Sequence, residues 1–196
     1  MTSSTRQIPN PADAVQGTVS NRFFTISNLL SISRGLLSIP FALVMLSRAP
    51  ESRLWGGVFM VAAALTDKFD GVLARKYNQI TEWGKILDPL ADKIAVAVVA
   101  VVLLLLGNIP VWFLAILLLR DILIFSGGLY VRRKKALVLQ SNEVGKWTVG
   151  IVALALFLMV LNAQSILIEI FIWASVILLT LSFGLYLKRF VEVMKT

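Results

Sequence analysis

The chain has 196 residues, of which 58% are hydrophobic and 15% charged, and its mean hydropathy is +0.83. Soluble domains average about 45–50% apolar and about 25% charged residues, so this composition indicates an integral membrane protein. The chain contains neither cysteine nor histidine, which excludes disulfides, thiol nucleophiles, metal sites built on these residues and histidine-based catalysis. The formal net charge of +8 fits contact with anionic lipid headgroups and requires no nucleic-acid partner.

In chain order, a polar tail precedes a membrane domain. Residues 1–20 show no apolar period and predict a flexible cytoplasmic tail. Residues 21–196 predict one all-α membrane domain of six helices, which a short interfacial segment near Arg22 introduces. Each predicted span is close to the roughly 20 residues that cross the hydrocarbon core. The six transmembrane helices are predicted at 26–47, 54–76, 84–106, 110–132, 142–162 and 165–187.

The basic residues predict how the helices are oriented. With the N-terminus in the cytoplasm, 12 bases fall on the cytoplasmic side and only two, Arg48 and Arg53, on the opposite side. Because basic residues accumulate in cytoplasmic loops, both termini are expected in the cytoplasm. The predicted location is a bacterial inner membrane or an equivalent membrane.

Four carboxylates lie within the predicted spans. Asp67 and Asp70 are three residues apart on the second helix, and Asp88 and Asp92 are four apart on the third. Both spacings place a pair on one helical face, near the cytoplasmic end of its helix. Four converging carboxylates would repel one another unless cations lay between them. Oxygen ligands suit hard dications, so the sequence predicts a cytoplasm-facing polar cavity that holds two Mg²⁺ ions, with Mn²⁺ as a substitute.

Small residues and an arginine accompany these acids. Gly71 follows Asp70 directly, Ala74 lies one turn further on, and Gly84 lies one turn before Asp88. Such residues let a ligand approach the helix backbone closely. Arg75 adds a guanidinium fork that suits phosphate. The combination predicts a site for a nucleotide diphosphate rather than an ion pore.

The arrangement resembles the signature of the CDP-alcohol phosphotransferase (CDP-alcohol phosphatidyltransferase class I) family. Every signature position is filled: Asp67-x2-Asp70-Gly71-x2-Ala74-Arg75-x8-Gly84-x3-Asp88-x3-Asp92. The stretches "TISNLLSISRGLLSIPF" and "DGVLARKYNQITEWGKILDPLADK" are similar to the phosphatidylglycerophosphate synthase and cardiolipin synthase branch. "SNEVGKWT" resembles the element that opens the family's fifth span.

The resemblance implies a Mg²⁺-dependent transfer of a phosphatidyl group from CDP-diacylglycerol to an alcohol, with release of CMP. It also implies membrane lipids as surroundings and a homodimer. By resemblance, the metal ligands are Asp67, Asp70, Asp88 and Asp92, and Asp92 is also the catalytic general base. The nucleotide site implied by resemblance comprises Asn28, Asp67, Asp70, Gly71, Ala74, Arg75 and Gly84.

The acceptor alcohol is less closely specified. Arg120 in the fourth span and Lys146 at the start of the fifth are predicted to bind an anionic acceptor, most simply glycerol 3-phosphate. Asp121 follows Arg120, and the resulting Arg-Asp pair is closer to the cardiolipin synthases, so phosphatidylglycerol and inositol phosphate stay as alternatives. Arg34 is either a substrate contact or the partner of a motif acid. The non-enzymatic alternative is an ion-coupled transporter, which would spread its ionisable residues across the membrane rather than at one depth.

Overall fold

A computed structural model of the chain describes the backbone of residues 26–76, 84–135 and 143–195. Its described side chains are those of residues 29, 32–68, 91–131, 133–134 and 143–195. The described residues form six α-helices. The helices are α1 (Ile26–Leu46), α2 (Ser52–Lys76), α3 (Gly84–Leu105), α4 (Val111–Lys135), α5 (Glu143–Val160) and α6 (Ser165–Lys195).

The predicted number and order of helices are confirmed, and most boundaries agree within three residues. The sixth helix differs most, because it continues to Lys195, eight residues beyond the predicted span. The prediction followed hydropathy, which falls where a span would meet headgroups, whereas a helix can continue into water. The predicted tail at 1–20 and the interfacial segment near Arg22 lie outside the described residues.

Three of the described helices are long and apolar enough, by length and composition, to cross a membrane. They are Val111–Val131 within α4, Glu143–Val160 and Ser165–Lys195. In α1, α2 and α3 some side chains lie outside the described set, and α2 and α3 also carry several charges. The fold is therefore that of an all-helical membrane protein.

Left-handed backbone conformations terminate three of the helices. Arg48 (φ 53°) follows α1, Gly107 (φ 73°) follows α3 and Asn162 (φ 53°) follows α5. After α3, the amide of Asn108 donates to the carbonyl of Leu103 at 2.8 Å. This left-handed cap satisfies carbonyls at the helix end and turns the chain sharply.

The buried core lies in the half of the bundle where α1, α3 and α5 end. Its largest fully buried side chains include Phe41, Leu103, Phe113 and Leu156, which come from four different helices. At Gly56 of α2, an added Cβ would lie 2.5 Å from the Met45 sulfur atom, so the glycine lets α1 and α2 approach closely. The opposite half, toward the predicted cytoplasmic side, contains Asp67 and Asp92.

Candidate active site

Arg34 of α1 connects two of the four predicted acids. Its Nη2 lies 3.0 Å from Oδ1 of Asp67 on α2, and its Nη1 donates to Oδ1 of Asp92 on α3. Arg34 thus joins an acid of α2 to an acid of α3, and in the described residues both of these helices contact α1. Of the two predicted roles for Arg34, the structure shows the pairing with motif acids.

One face of α1 explains where Arg34 lies. Arg34, Ser38, Phe41 and Met45 are all buried, and their spacing of four, three and four residues places them on a single helical stripe. The stripe is polar at its start and apolar toward its end. The bundle therefore places a buried guanidinium directly beside an apolar interior.

The two carboxylates are far more accessible than the guanidinium that joins them. The side chains of Asp67 and Asp92 are 60% and 50% exposed, whereas that of Arg34 is 4% exposed. An ionised carboxylate offers about four lone-pair directions, so each acid retains acceptor capacity beyond its bond to Arg34. These oxygens are accessible to a cation or to a substrate hydroxyl.

A cavity of about 240 Å³ extends from these groups into the bundle. Arg34, Asp67 and Asp92 line one end, and the remaining wall is mainly apolar, including Phe59 of α2 and Leu156 of α5. Such a wall suits hydrocarbon rather than a charged nucleotide. The sequence analysis did not predict the contribution of α5, whose cavity-lining residues recur at helical spacing but look like those of any membrane span.

For most of the other predicted site residues, the structure describes the backbone but not the side chain. Asp70, Gly71, Ala74 and Arg75 belong to α2, Gly84 and Asp88 to α3, and Asn28 to α1. Their side chains lie outside the described residues, so their roles stay predictions. Among the side chains that are described, no group of three or more potential metal ligands occurs.

The described part of the site fits a hard divalent cation. Asp67 and Asp92 come from different helices, share Arg34 as a counter-ion and keep accessible oxygens. Carboxylate oxygens are the preferred protein ligands of Mg²⁺. The paired guanidinium shows that this position accommodates positive charge between the two acids.

Arg120, a predicted acceptor residue, lies in a polar network between α3, α4 and α6. Its Nη1 donates to Oδ1 of Asp121 at 2.7 Å, and its Nη2 donates to the buried hydroxyl of Ser182 at 2.7 Å. Lys93 of α3 forms a salt bridge with the other oxygen of Asp121. The sequence analysis missed Ser182 entirely, because a serine in a span carries no sign of its partner.

Lys146, the second predicted acceptor residue, forms an ion pair with an acid of its own helix. Its Nζ lies 2.6 Å from Oε1 of Glu143, and both side chains are well exposed. An exposed pair of this kind contributes little to stability and exchanges easily with other ions. No described contact joins Lys146 or Arg120 to Asp67 or Asp92.

Comparisons with known proteins identify relatives over most of the chain. A family model described as CDP-alcohol phosphatidyltransferase matches residues 24–181. The "Probable phosphatidylglycerophosphate synthase" of Mycobacterium tuberculosis is 30% identical over 173 residues, covering 86% of this chain and 82% of the relative. The CDP-diacylglycerol–glycerol-3-phosphate 3-phosphatidyltransferase of Bacillus subtilis is 28% identical over 191 residues, covering 88% and 98%.

A shorter match is to a protein with a different name. A Mycobacterium bovis protein that carries the name of a cardiolipin synthase is 38% identical over 104 residues, covering 53% of this chain and 49% of the relative. Its identity is higher than that of the two longer matches but covers only about half of each chain.

Proposed function

The chain belongs to the CDP-alcohol phosphatidyltransferase family, and on that premise we propose that it transfers a phosphatidyl group from CDP-diacylglycerol to glycerol 3-phosphate. The acceptor hydroxyl oxygen forms a bond to the β-phosphorus, and the bond from that phosphorus to the CMP oxygen breaks. CMP leaves with the electron pair, and the hydroxyl proton goes to a carboxylate. The products are phosphatidylglycerophosphate and CMP.

The observation that carries this proposal is the meeting of Asp67 and Asp92 beside an apolar cavity. Two accessible carboxylates, one on α2 and one on α3, offer oxygen ligands and a base, and the cavity wall suits the hydrocarbon of a lipid substrate. Family membership favours an enzyme over the transporter alternative, because the family is one of transferases.

We assign the residues as the motif suggests. Asp67, Asp70, Asp88 and Asp92 would hold two Mg²⁺ ions, which when bound neutralise phosphate charge and polarise the reacting phosphorus. Asp92 would accept the proton of the acceptor hydroxyl, a task that an ionised carboxylate performs at neutral pH. The proposed nucleotide site comprises Asn28, Asp67, Asp70, Gly71, Ala74, Arg75 and Gly84.

For the acceptor phosphate we propose Arg120 and Lys146. The Nε of Arg120 is buried and has no hydrogen-bond acceptor among the described residues, so an anion that entered this network would satisfy it. The side chain of Lys146 is 64% exposed, and among the described residues its ammonium pairs only with Glu143, so a phosphate can replace that partner. Lys146→Ala should raise the KM for glycerol 3-phosphate several-fold while leaving the KM for CDP-diacylglycerol unchanged.

We further propose that all six helices cross the membrane, with both termini in the cytoplasm and a cavity that opens on that side. At 1.5 Å per residue, the 21 residues of α1, 25 of α2 and 22 of α3 span about 32, 38 and 33 Å, enough to cross about 30 Å of hydrocarbon. Large apolar side chains are exposed on every helix, as a lipid-facing surface requires. Examples are Leu43, Leu65, Leu105, Val111, Trp147 and Ile166. Residues 21–196 would form this domain in a bacterial inner membrane or its equivalent. Residues 1–20 would form a cytoplasmic tail, and two copies of the chain would form a homodimer.

The decisive experiment is CMP release by the purified protein. CDP-diacylglycerol and Mg²⁺ would be supplied with glycerol 3-phosphate, phosphatidylglycerol, inositol phosphate or no acceptor, each with and without EDTA. CMP that appears only with glycerol 3-phosphate and disappears with EDTA would support the proposal. Turnover only with phosphatidylglycerol would instead identify a cardiolipin synthase, the second candidate, which the Mycobacterium bovis match and the Arg120-Asp121 pair favour.

Variants separate the roles of the acids. Asp67→Asn should lower turnover at least about 100-fold through loss of metal binding, since the metal contributes several kcal/mol to transition-state stabilisation. Asp92→Asn should lower it about 100- to 10,000-fold, the usual contribution of a general base, while CDP-diacylglycerol still binds. Glu169→Gln in α6 is the matched control, because it also removes one exposed carboxylate from a helix and should keep full activity. Full activity of Asp92→Asn would remove that residue as the base.

A further inference from the structure

A second cavity, of about 360 Å³, lies at the opposite end of the bundle from Asp67 and Asp92. It lies where α1 ends, α2 begins and α3 ends, and Arg48, Ser52, Arg53 and Asn108 are among its lining residues. Ser52 precedes Asp67 by 15 residues of continuous helix, which corresponds to about 22 Å along the axis. This cavity is therefore separate from the candidate active site.

Three polar side chains of this cavity, Arg48, Ser52 and Arg53, offer donors that have no partner among the described residues. Arg48 and Arg53 both line it, and neither guanidinium has a carboxylate within ion-pair distance among the described residues. Ser52 is 6% exposed, and its hydroxyl makes no hydrogen bond with the described residues. The neighbouring Glu51 is exposed and does not line the cavity. Two positive charges and a buried hydroxyl thus surround one space whose described wall contains no acid.

The position of these arginines along the chain adds an independent reason to expect a ligand. They are the only two bases predicted on the outer side, where membrane proteins tend to avoid basic residues. Both nevertheless line the same cavity. A pair of arginines at this position, with no counter-ion among the described residues, calls for an external anion.

The level of the cavity in the membrane suggests the source of that anion. Trp55, one turn into α2, and Trp112, at the start of α4, are 49% and 44% exposed. Exposed tryptophans near helix ends are typical of the membrane–water interface, where phospholipid phosphates lie. The arginine fork matches phosphate oxygens in pairs.

We propose that this cavity, defined by Arg48, Ser52, Arg53 and Asn108, binds the phosphate group of an anionic phospholipid headgroup on the side opposite the active site. The two guanidinium groups neutralise the phosphate, and the Ser52 hydroxyl donates a hydrogen bond to one of its oxygens. The site does not depend on the reaction proposed above.

The absence of cysteine from the chain allows a direct test. Ala49→Cys places a single thiol on a small, exposed residue in the wall of the cavity, and Gln164→Cys places one in the turn between α5 and α6 as the matched control. Each protein would be placed in nanodiscs of phosphatidylcholine alone, of phosphatidylcholine with phosphatidylglycerol, or of phosphatidylcholine with inorganic phosphate in the buffer. The rate of reaction with neutral N-ethylmaleimide would then be measured.

At a ligand level ten times Kd, labelling of the Ala49→Cys protein should slow about 11-fold, because only the free fraction reacts. The Gln164→Cys protein should react at the same rate in all three preparations. Slowing by phosphatidylglycerol alone would support a lipid headgroup, whereas slowing by inorganic phosphate would support the same phosphate site with a soluble anion as its ligand.

Charge variants complete the test. R48Q/R53Q should abolish the protection, whereas R133Q/K188Q, which removes two exposed bases elsewhere, should preserve it. Thermal unfolding of each variant in phosphatidylcholine would confirm that it is folded. Protection that survives R48Q/R53Q, or equal labelling rates in all three preparations, would overturn the proposal.

Discussion

Replacing Arg34 by methionine tests the ion pairs at the centre of the candidate active site. Methionine keeps an unbranched chain of similar length and removes the charge that joins Asp67 and Asp92. Two unit charges 3.0 Å apart attract by about 1.4 kcal/mol in water and about 5.5 kcal/mol at an effective dielectric constant of 20. The 60% exposure of Asp67 places the real value toward the lower figure.

Two further effects determine the net loss. Removing the charge also removes the cost of burying Arg34, which is 4% exposed, but leaves two carboxylates repelling each other. We therefore expect R34M to lower the free energy of unfolding by about 2 kcal/mol. For a chain of this length that corresponds to about 4–8 °C in Tm.

The assay is thermal unfolding in detergent, with EDTA or with Mg²⁺. In EDTA, R34M should show the full loss. In Mg²⁺ the loss should be smaller, since a bound dication would replace the missing counter-ion. R34K is the conservative variant and should recover only part of the stability, because a compact ammonium cannot bridge two carboxylates as a fork does.

R133M is the matched control, since it removes an exposed arginine at the end of α4 and should leave Tm within about 1 °C. An R34M protein that unfolds in EDTA at the same temperature as the parent would refute the reasoning. It would mean that the bridge to the two acids makes no net contribution to stability.

Three other outcomes follow from particular contacts. A Cβ at Gly127 would lie 2.8 Å from the hydroxyl oxygen of Tyr186, so Gly127→Ala should lower the free energy of unfolding by about 1–3 kcal/mol. Tyr186→Phe should relieve part of that loss. Gly150→Ala is the control, because a Cβ at Gly150 meets nothing within 4 Å and should cause no clash. Asp121→Asn should destabilise the fold by about 1–3 kcal/mol in the same unfolding assay, because it removes the counter-ion of Lys93 and of Arg120. An unchanged Tm would show that these contacts are dispensable. EDTA should abolish CMP release and excess Mg²⁺ should restore it, whereas activity that persists in EDTA would contradict the metal assignment.

The sequence predicted the helices because hydropathy alone separates six apolar runs from the short polar turns between them. It also assigned Asp67 and Asp92 to particular helical faces, since an i, i+3 or i+4 spacing fixes a helical face. It expected α2 and α3 to be adjacent, whereas in the described residues both contact α1, which supplies Arg34 to the two acids. It did not fix the partner of Arg34, because the rotation of α1 against α2 and α3 depends on packing across three helices. The contact between Arg120 and Ser182, 62 positions apart, could not be predicted from the sequence for the same reason.

The position of α3 illustrates how polar contacts hold the candidate site in place. Asp92 is joined to Arg34 of α1, and the next residue, Lys93, is joined to Asp121 of α4. Consecutive residues point about 100° apart around a helix, so these two salt bridges hold one turn of α3 from two directions. Lipid supplies no hydrophobic drive that would press helices together, and packing and polar contacts must therefore set their register.

The same network continues to α6, because Arg120 connects Asp121 to the buried hydroxyl of Ser182. Rotation of α3 by even a fraction of a turn would break both salt bridges and move Asp92 away from Asp67. We infer that Lys93 and Asp121 keep Asp92 of α3 directed toward Arg34 of α1. The Lys93 side chain is half-exposed, so the ion pair itself contributes little to stability. Its main effect would be to fix the rotation of α3 about its axis.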